Sequence, residues 1–225
     1  MANLIEEQIR ARFPVLPVPL GEPLARGAET GLLQTRFLVA ADGLYKEVVT
    51  PWLYACVPVA KNAHGALPFG ALTAEVRLTL PTEILLDRLQ DFYQLARQQP
   101  QWECRQDFLY QEGILQGEEP EFSQVDYTVE HHRPACPLGV WAVDVHSHGP
   151  HEAYFSSLDD IDDQHDIKLA VVVGRVASEH PQWTARICLG HGIFVPTLLP
   201  LEGAVVPRGA VRKGGPDHDP ACITR

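Results

Sequence analysis

An α+β fold with a mixed sheet is predicted by three observations. One amphipathic helix is well marked, several apolar runs have the length of strands, and the strand-like runs precede and follow that helix instead of alternating strictly with helices. The 45% apolar and 21% charged fractions are ordinary globular values, and 225 residues can bury a full core without disulfide staples.

Residues 1–30 open on Leu4, Ile5, Ile9 and Phe13 at roughly helical spacing, then Pro14, Pro17, Pro19 and Pro23 forbid a helix. Thr35–Val39 and Leu44–Val49 flank Asp42-Gly43, a hairpin signal. Trp52–Val59 and Ala74–Leu80 read as further strands. Residues 1–79 are thus a β-rich N-terminal extension, either an addition to the main sheet or a small subdomain. Pro81-Thr82-Glu83 starts a helix whose Leu85, Leu89, Phe92 and Ala96 form one apolar stripe, ended by Gln98-Gln99-Pro100. Cys104–Gln111 and Val125–Glu130 read as strands joined by an acidic loop. Leu138–His146 and Leu169–Val176 read as strands buried on both faces, and Ala185–Leu189 as a weaker one. Residues 80–206 therefore make the main domain, and 207–225, with five Gly or Pro among the last eighteen residues, a flexible tail.

The charge balance is 18 − 29 = −11, which argues against nucleic-acid or anionic-membrane binding by bulk charge. No apolar run approaches the roughly 20 residues of a membrane span, and Met1–Arg12 lacks a signal-peptide apolar core, so a cytoplasmic location is expected. The cysteines (Cys56, Cys104, Cys136, Cys188, Cys222) lie at least 32 residues apart, with no CxxC pair, as reduced and mostly buried thiols would.

The chemistry concentrates in His146–Asp159. His146 and His148, two apart at the end of a strand, point to one face. Ten residues separate His148 from Asp159, enough for a loop to return a carboxylate to the rings. Ser156 or Ser157 can cap a short helix there. Two imidazoles, one carboxylate and an open position are the donor set of a catalytic zinc ion. An HxH pair alone is often no more than two surface strand residues; the spaced Ser and Asp set this one apart. Rival motifs fail: Phe155 breaks an HExxH match at His151-Glu152, Cys136-Pro137-Leu138 breaks a deaminase PCxxC, and Ala170 stands where a calcium loop needs its last Glu. Apart from Asp159, the acidic run to Asp166 reads as a solvated helix face.

These residues resemble the JAMM metalloprotease motif of the JAB/MPN type, H-x-H-x(6 or 7)-S-x-x-D, with its intervals intact. Ala153-Tyr154-Phe155-Ser156, Asp159–Asp163 and Val171–Val176 further resemble the A components of bacterial PRTRC (ParB-related, ThiF-related cassette) systems. The resemblance spans about residues 80–195. It implies a sheet flanked by helices in cytidine-deaminase-like layers, Zn2+ held by His146, His148 and Asp159, and Ser156 supporting the oxyanion. It also implies an upstream general base. Glu103, after the helix and 43 residues before His146, fits; Glu112, 34 residues before and beside Gly113, is the alternative. Two departures stand out. Gly149-Pro150 replaces a Pro directly after the second His, and Cys104-Arg105-Gln106 lacks the family's apolar-Gly continuation. The implied activity is hydrolysis of a peptide or isopeptide bond, with a ubiquitin-like tail or conjugate as substrate and a ThiF-like protein as partner. The rival expectation is a non-catalytic MPN-type scaffold.

Overall fold

The computed structural model describes residues 14–21, 34–124, 140–198 and 212–213. The N-terminal amphipathic stretch, the expected strand at 125–130 and most of the C-terminal tail lie outside the described residues.

The N-terminal strands form a sheet of their own. It runs β1 (Val15–Pro17), β2 (Gln34–Ala40), β3 (Gly43–Val49), β4 (Leu53–Lys61) and β5 (Glu75–Leu78) in sequence order, with only β1 parallel to its neighbour. The expected hairpin is present, with Ala40 paired to Gly43 across a two-residue turn. Gly43 is required there, because a Cβ would run into the Ala60 carbonyl oxygen of β4.

Helix α1 (Thr82–Ala96) begins where Pro81 presets the backbone, and it buries Leu85, Leu89, Phe92, Tyr93 and Ala96. Its apolar stripe packs on β6 (Trp102–Gln111), β7 (Ile114–Gly117) and β9 (Val140–Ser147). Truncating the fully packed Phe92 to Ala would cost about 3–5 kcal/mol.

The second sheet adds β8 (Glu121–Gln124), β10 (Ile167–Gly174), β11 (Gln182–Leu189), β12 (Ile193–Thr197) and β13 (Arg212–Lys213). Its order is β13-β12-β11-β10-β9-β6-β7, with β8 also on β6. Among the described strands of this sheet, β9 and β10 make the parallel pair and the others are antiparallel, so the sheet is mixed and the fold α+β. Where an acidic loop was expected after Gln111, the chain makes a tight hairpin. Glu112 and Gly113 take φ of 48° and 86°, the handedness of a type I′ turn, and β7 and β8 follow.

The crossover from β9 to β10 carries α2 (Ser157–Asp163). Sequence alternation gives the sheet two unlike faces. Leu169, Val171 and Val173 of β10 join Val143, Val145, Ala185, Ile187 and the α1 stripe in one core. Val48, Trp52, Leu53, Ala55, Val57 and Val76 of the first sheet belong to that same core. The opposite face of the second sheet carries His146, Asp144, Lys168 and Arg186. β9 is buried on both faces over residues 142–145, as expected, but one of those faces buries a charge, Asp144.

Lys46 of β3 crosses between the sheets. Its ammonium donates to the carbonyl oxygens of Leu189 and Gly190 (2.9 Å) and lies 2.7 Å from His191 Nδ1. Burial pushes its pKa down to about 8. The three described cysteines, Cys56, Cys104 and Cys188, are buried thiols outside any disulfide, and burial raises the Cys104 thiol to about 12.

Candidate metal centre

Two local features of the sequence build the site. The first is the end of β9, where alternation puts His146 and His148 on one face, and the His148 N–H extends the parallel pairing by donating to Val173 O (2.9 Å). The second is the start of α2. Ser156 is its N-cap, and Asp159 the third residue inside. Asp159 N–H donates to Ser156 Oγ (3.2 Å), while Ser156 N–H and Oγ–H both donate to Asp159 Oδ2 (2.6 Å each). This is a reciprocal capping box. It occupies Oδ2 and leaves Oδ1 facing His146 Nε2 at 3.3 Å.

The loop between the two is held down firmly. His151 N–H donates to His148 O, Arg175 N–H to His151 O, and Val176 N–H to Gly149 O. Gly174 allows this, since a Cβ there would run into the backbone of residues 151–153. Gly149 has φ +52°, a conformation closed to proline, so a proline directly after His148 does not fit this loop path.

His146 Nε2 and His148 Nε2 are 3.2 Å apart, and all three ligand atoms lie within 4.8 Å of one another. Zinc bonds of about 2.0–2.1 Å at tetrahedral angles put neighbouring ligand atoms about 3.3 Å apart. The donor chemistry fits a cation as well. His148 Nδ1 faces the Glu152 carbonyl oxygen at 3.2 Å, which fixes the hydrogen on Nδ1 and turns the Nε2 lone pair inward. His148 Nε2 and Asp159 Oδ1 both lie against His146 Nε2, at 3.2 and 3.3 Å, so the three ligand atoms meet where one cation could be shared. Burial, and then the neighbouring His146, push the His148 imidazole below its ordinary pKa, favouring the neutral form that ligates metals. Tyr154 packs edge-on against the His148 ring at 4.7 Å.

Glu103 lies on β6, two residues from Arg105, which is paired with His146 across the strands; it therefore shares the face of the two histidines. It is half-buried and outside the three-residue ligand cluster. Glu112 sits in the β6–β7 turn, at the far end of β6 from the site.

Residues beyond those singled out from the sequence also shape the site. Asp144 accepts from Arg105 and from Lys168 (2.8 Å). Lys168 also reaches Asp163 (2.6 Å) and Asp166 (3.2 Å), and Arg186 reaches Asp160 and Asp163 (2.7 Å). The acidic run is thus not a solvated face: Asp163 is buried and Asp160 is ion-paired. The available signal was the presence of Asp144, Lys168 and Arg186 inside otherwise apolar strand runs.

The fold and site together define a mixed-sheet α+β domain with a His-His-Asp donor cluster at a strand-to-helix crossover. Residues 118–187, which contain that whole cluster, match the family of prokaryotic homologs of the JAB domain, so the chain carries a JAB-like domain. Residues 3–79 match a domain of unknown function, DUF2016. No curated protein and no solved structure matches the chain. Among the described residues, no helix is long and apolar enough to cross a membrane.

Proposed function

We propose that this chain is a zinc-dependent peptidase or isopeptidase of the JAMM type, similar to the A components of PRTRC cassettes and acting on a ubiquitin-like protein tail or conjugate. The observation that carries the reading is the meeting of three ligand atoms, with His146 Nε2 3.2 Å from His148 Nε2 and 3.3 Å from Asp159 Oδ1 and all three within 4.8 Å of one another. Three protein ligands leave a fourth position open, as a catalytic site needs and a structural one does not.

When bound, zinc supplies a Lewis acid and lowers the pKa of water from 15.7 to about 7. The chain's own residues do the rest. The Glu103 carboxylate, on the histidine face of β6, accepts the proton of the attacking water and passes it to the leaving amine. Ser156 turns its hydroxyl hydrogen from Asp159 Oδ2 to the substrate carbonyl oxygen and supports the developing oxyanion. The Ser156 N–H stays on Oδ2 during that turn, so Asp159 keeps its orientation. No nucleophilic side chain is required, in keeping with the buried thiols.

The test is incubation of the purified protein with a ubiquitin-like protein bearing a C-terminal tail or isopeptide link, with and without a ThiF-like protein. Zinc-dependent cleavage, lost with chelator and with Asp159→Asn, is the expected result. Absence of cleavage with every partner combination, together with partner affinity that chelation does not alter, would establish an MPN-type scaffold instead.

A further inference from the structure

A helix ordinarily docks on a sheet through an apolar stripe. α2 does not. Its one buried residue is Asp163, while its large apolar side chains, Leu158 and Ile161, are 44% and 60% exposed. Seven residues are also too few to hold a helix by themselves. Charge fastens it instead. Arg186 of β11 donates to both Asp160 and Asp163, with its guanidinium between the rings of Phe155 (3.9 Å) and Phe194 (4.0 Å). Lys168 of β10 reaches Asp163, and through Asp144 it meets Arg105 on β6, the strand of Glu103.

Lys168 and Arg186 are almost fully buried, at 2% and 6% exposure. Desolvating such charges costs several kcal/mol per ion, and apolar replacements of similar volume would pack at least as well. What ion pairs add is direction. Apolar contact is non-directional and lets a short helix slide or turn, whereas a guanidinium fork between two fixed carboxylates does not. Asp160 and Asp163 are three apart on α2, so holding both fixes the rotation of the helix and its height above the sheet. Asp159 follows rigidly, since it directly precedes Asp160 on the same two-turn helix.

We propose that Lys168 and Arg186 are positioning residues that set the place of Asp159 Oδ1, and hence the affinity and geometry of the metal site. The inference rests on the metal-site reading above.

The test measures zinc affinity by chelator competition, and the d–d absorption of the cobalt(II)-loaded protein, for Arg186→Met, Arg186→Lys, Lys168→Met and Asp160→Ala. Thermal unfolding is followed in parallel. Affinity should fall about 10–100-fold in the Met and Ala variants, with a weaker and shifted cobalt band, and Arg186→Lys should be intermediate. Asp160 is 39% exposed, so Asp160→Ala keeps the test open where a buried-charge variant fails to fold. Arg36→Met, which breaks the Arg36–Glu47 pair of the first sheet, should leave the zinc affinity unchanged. Unaltered affinity and spectrum in folded Asp160→Ala and Arg186→Lys would overturn the inference alone. No binding of zinc or cobalt by the unsubstituted chain would overturn the metal reading and this inference with it.

Discussion

Gly149 passes so close to Pro100 that a Cβ on it would stand 2.8 Å from the Pro100 carbonyl oxygen. The turn after His148 is thereby seated against the segment joining α1 to β6, two elements that flank the site. With φ at +52°, the position is costly for any other residue. Gly149→Ala should destabilise the protein by roughly 1–3 kcal/mol in urea unfolding, and Gly149→Pro by more, because a proline ring cannot take a positive φ. A Gly149→Pro protein as stable as its parent would mean that the loop runs elsewhere.

Metal content gives the most direct measurement. Protein purified without added metal should contain about one zinc per chain by elemental analysis, as expected of three converging ligands. The double substitution His146→Ala with His148→Ala should remove it. Stoichiometric zinc in the double variant would place the metal at other residues.

Glu103→Gln should retain zinc and lose turnover by about 10²–10⁴-fold, because the amide keeps the shape of the side chain but cannot accept a proton. Glu112→Gln should be silent, since Glu112 lies in the β6–β7 turn with positive φ. The opposite pattern, with Glu112→Gln inactive, would reverse the assignment of the base.

Lys46 makes a prediction about pH. Its pKa is lowered from 10.5 to about 8 in the folded chain by burial. Between pH 8 and 10.5 the unfolded chain therefore binds more protons at this group than the folded one, and its contribution to stability rises with pH. At most roughly 3 kcal/mol is involved, from 1.36 kcal/mol per pKa unit. Below pH 8 both states are protonated and the group contributes no slope. The parent should gain stability relative to Lys46→Met as pH rises across that window, measured by denaturant unfolding. Parallel stability–pH curves for the two proteins would contradict it.

Local spacing made part of this molecule readable in advance. The Asp42-Gly43 hairpin, the Leu85–Leu89–Phe92–Ala96 stripe and the His146–His148–Asp159 set each depend on residues close in sequence, and each appears in the structure where spacing put it. The cap formed by Ser156 was readable for the same reason. β7, β8 and β12 were not: they are four or five residues long and lie between turns, too short for a periodic signal. The ion pairs beneath α2 were hidden by distance along the chain. Asp144 and Lys168 are 24 residues apart, and Asp160 and Arg186 are 26 apart, so only the folded sheet brings them together. The face shared by Glu103 and His146 likewise depends on the register of β6 against β9, which no local pattern specifies.

Trp52, Leu53 and Val57, from the stretch matching DUF2016, lie in one apolar cluster with Leu85, Phe92 and Ile187. A cut between residues 79 and 80 would therefore divide a hydrophobic core, and each half would carry a raw apolar surface into water. The two stretches that match separate families should melt together in a single cooperative transition, and neither should be recoverable as a well-behaved fragment. A chain built this way inherits, loses and tunes the half that carries the His146–His148–Asp159 cluster only together with the half that covers it.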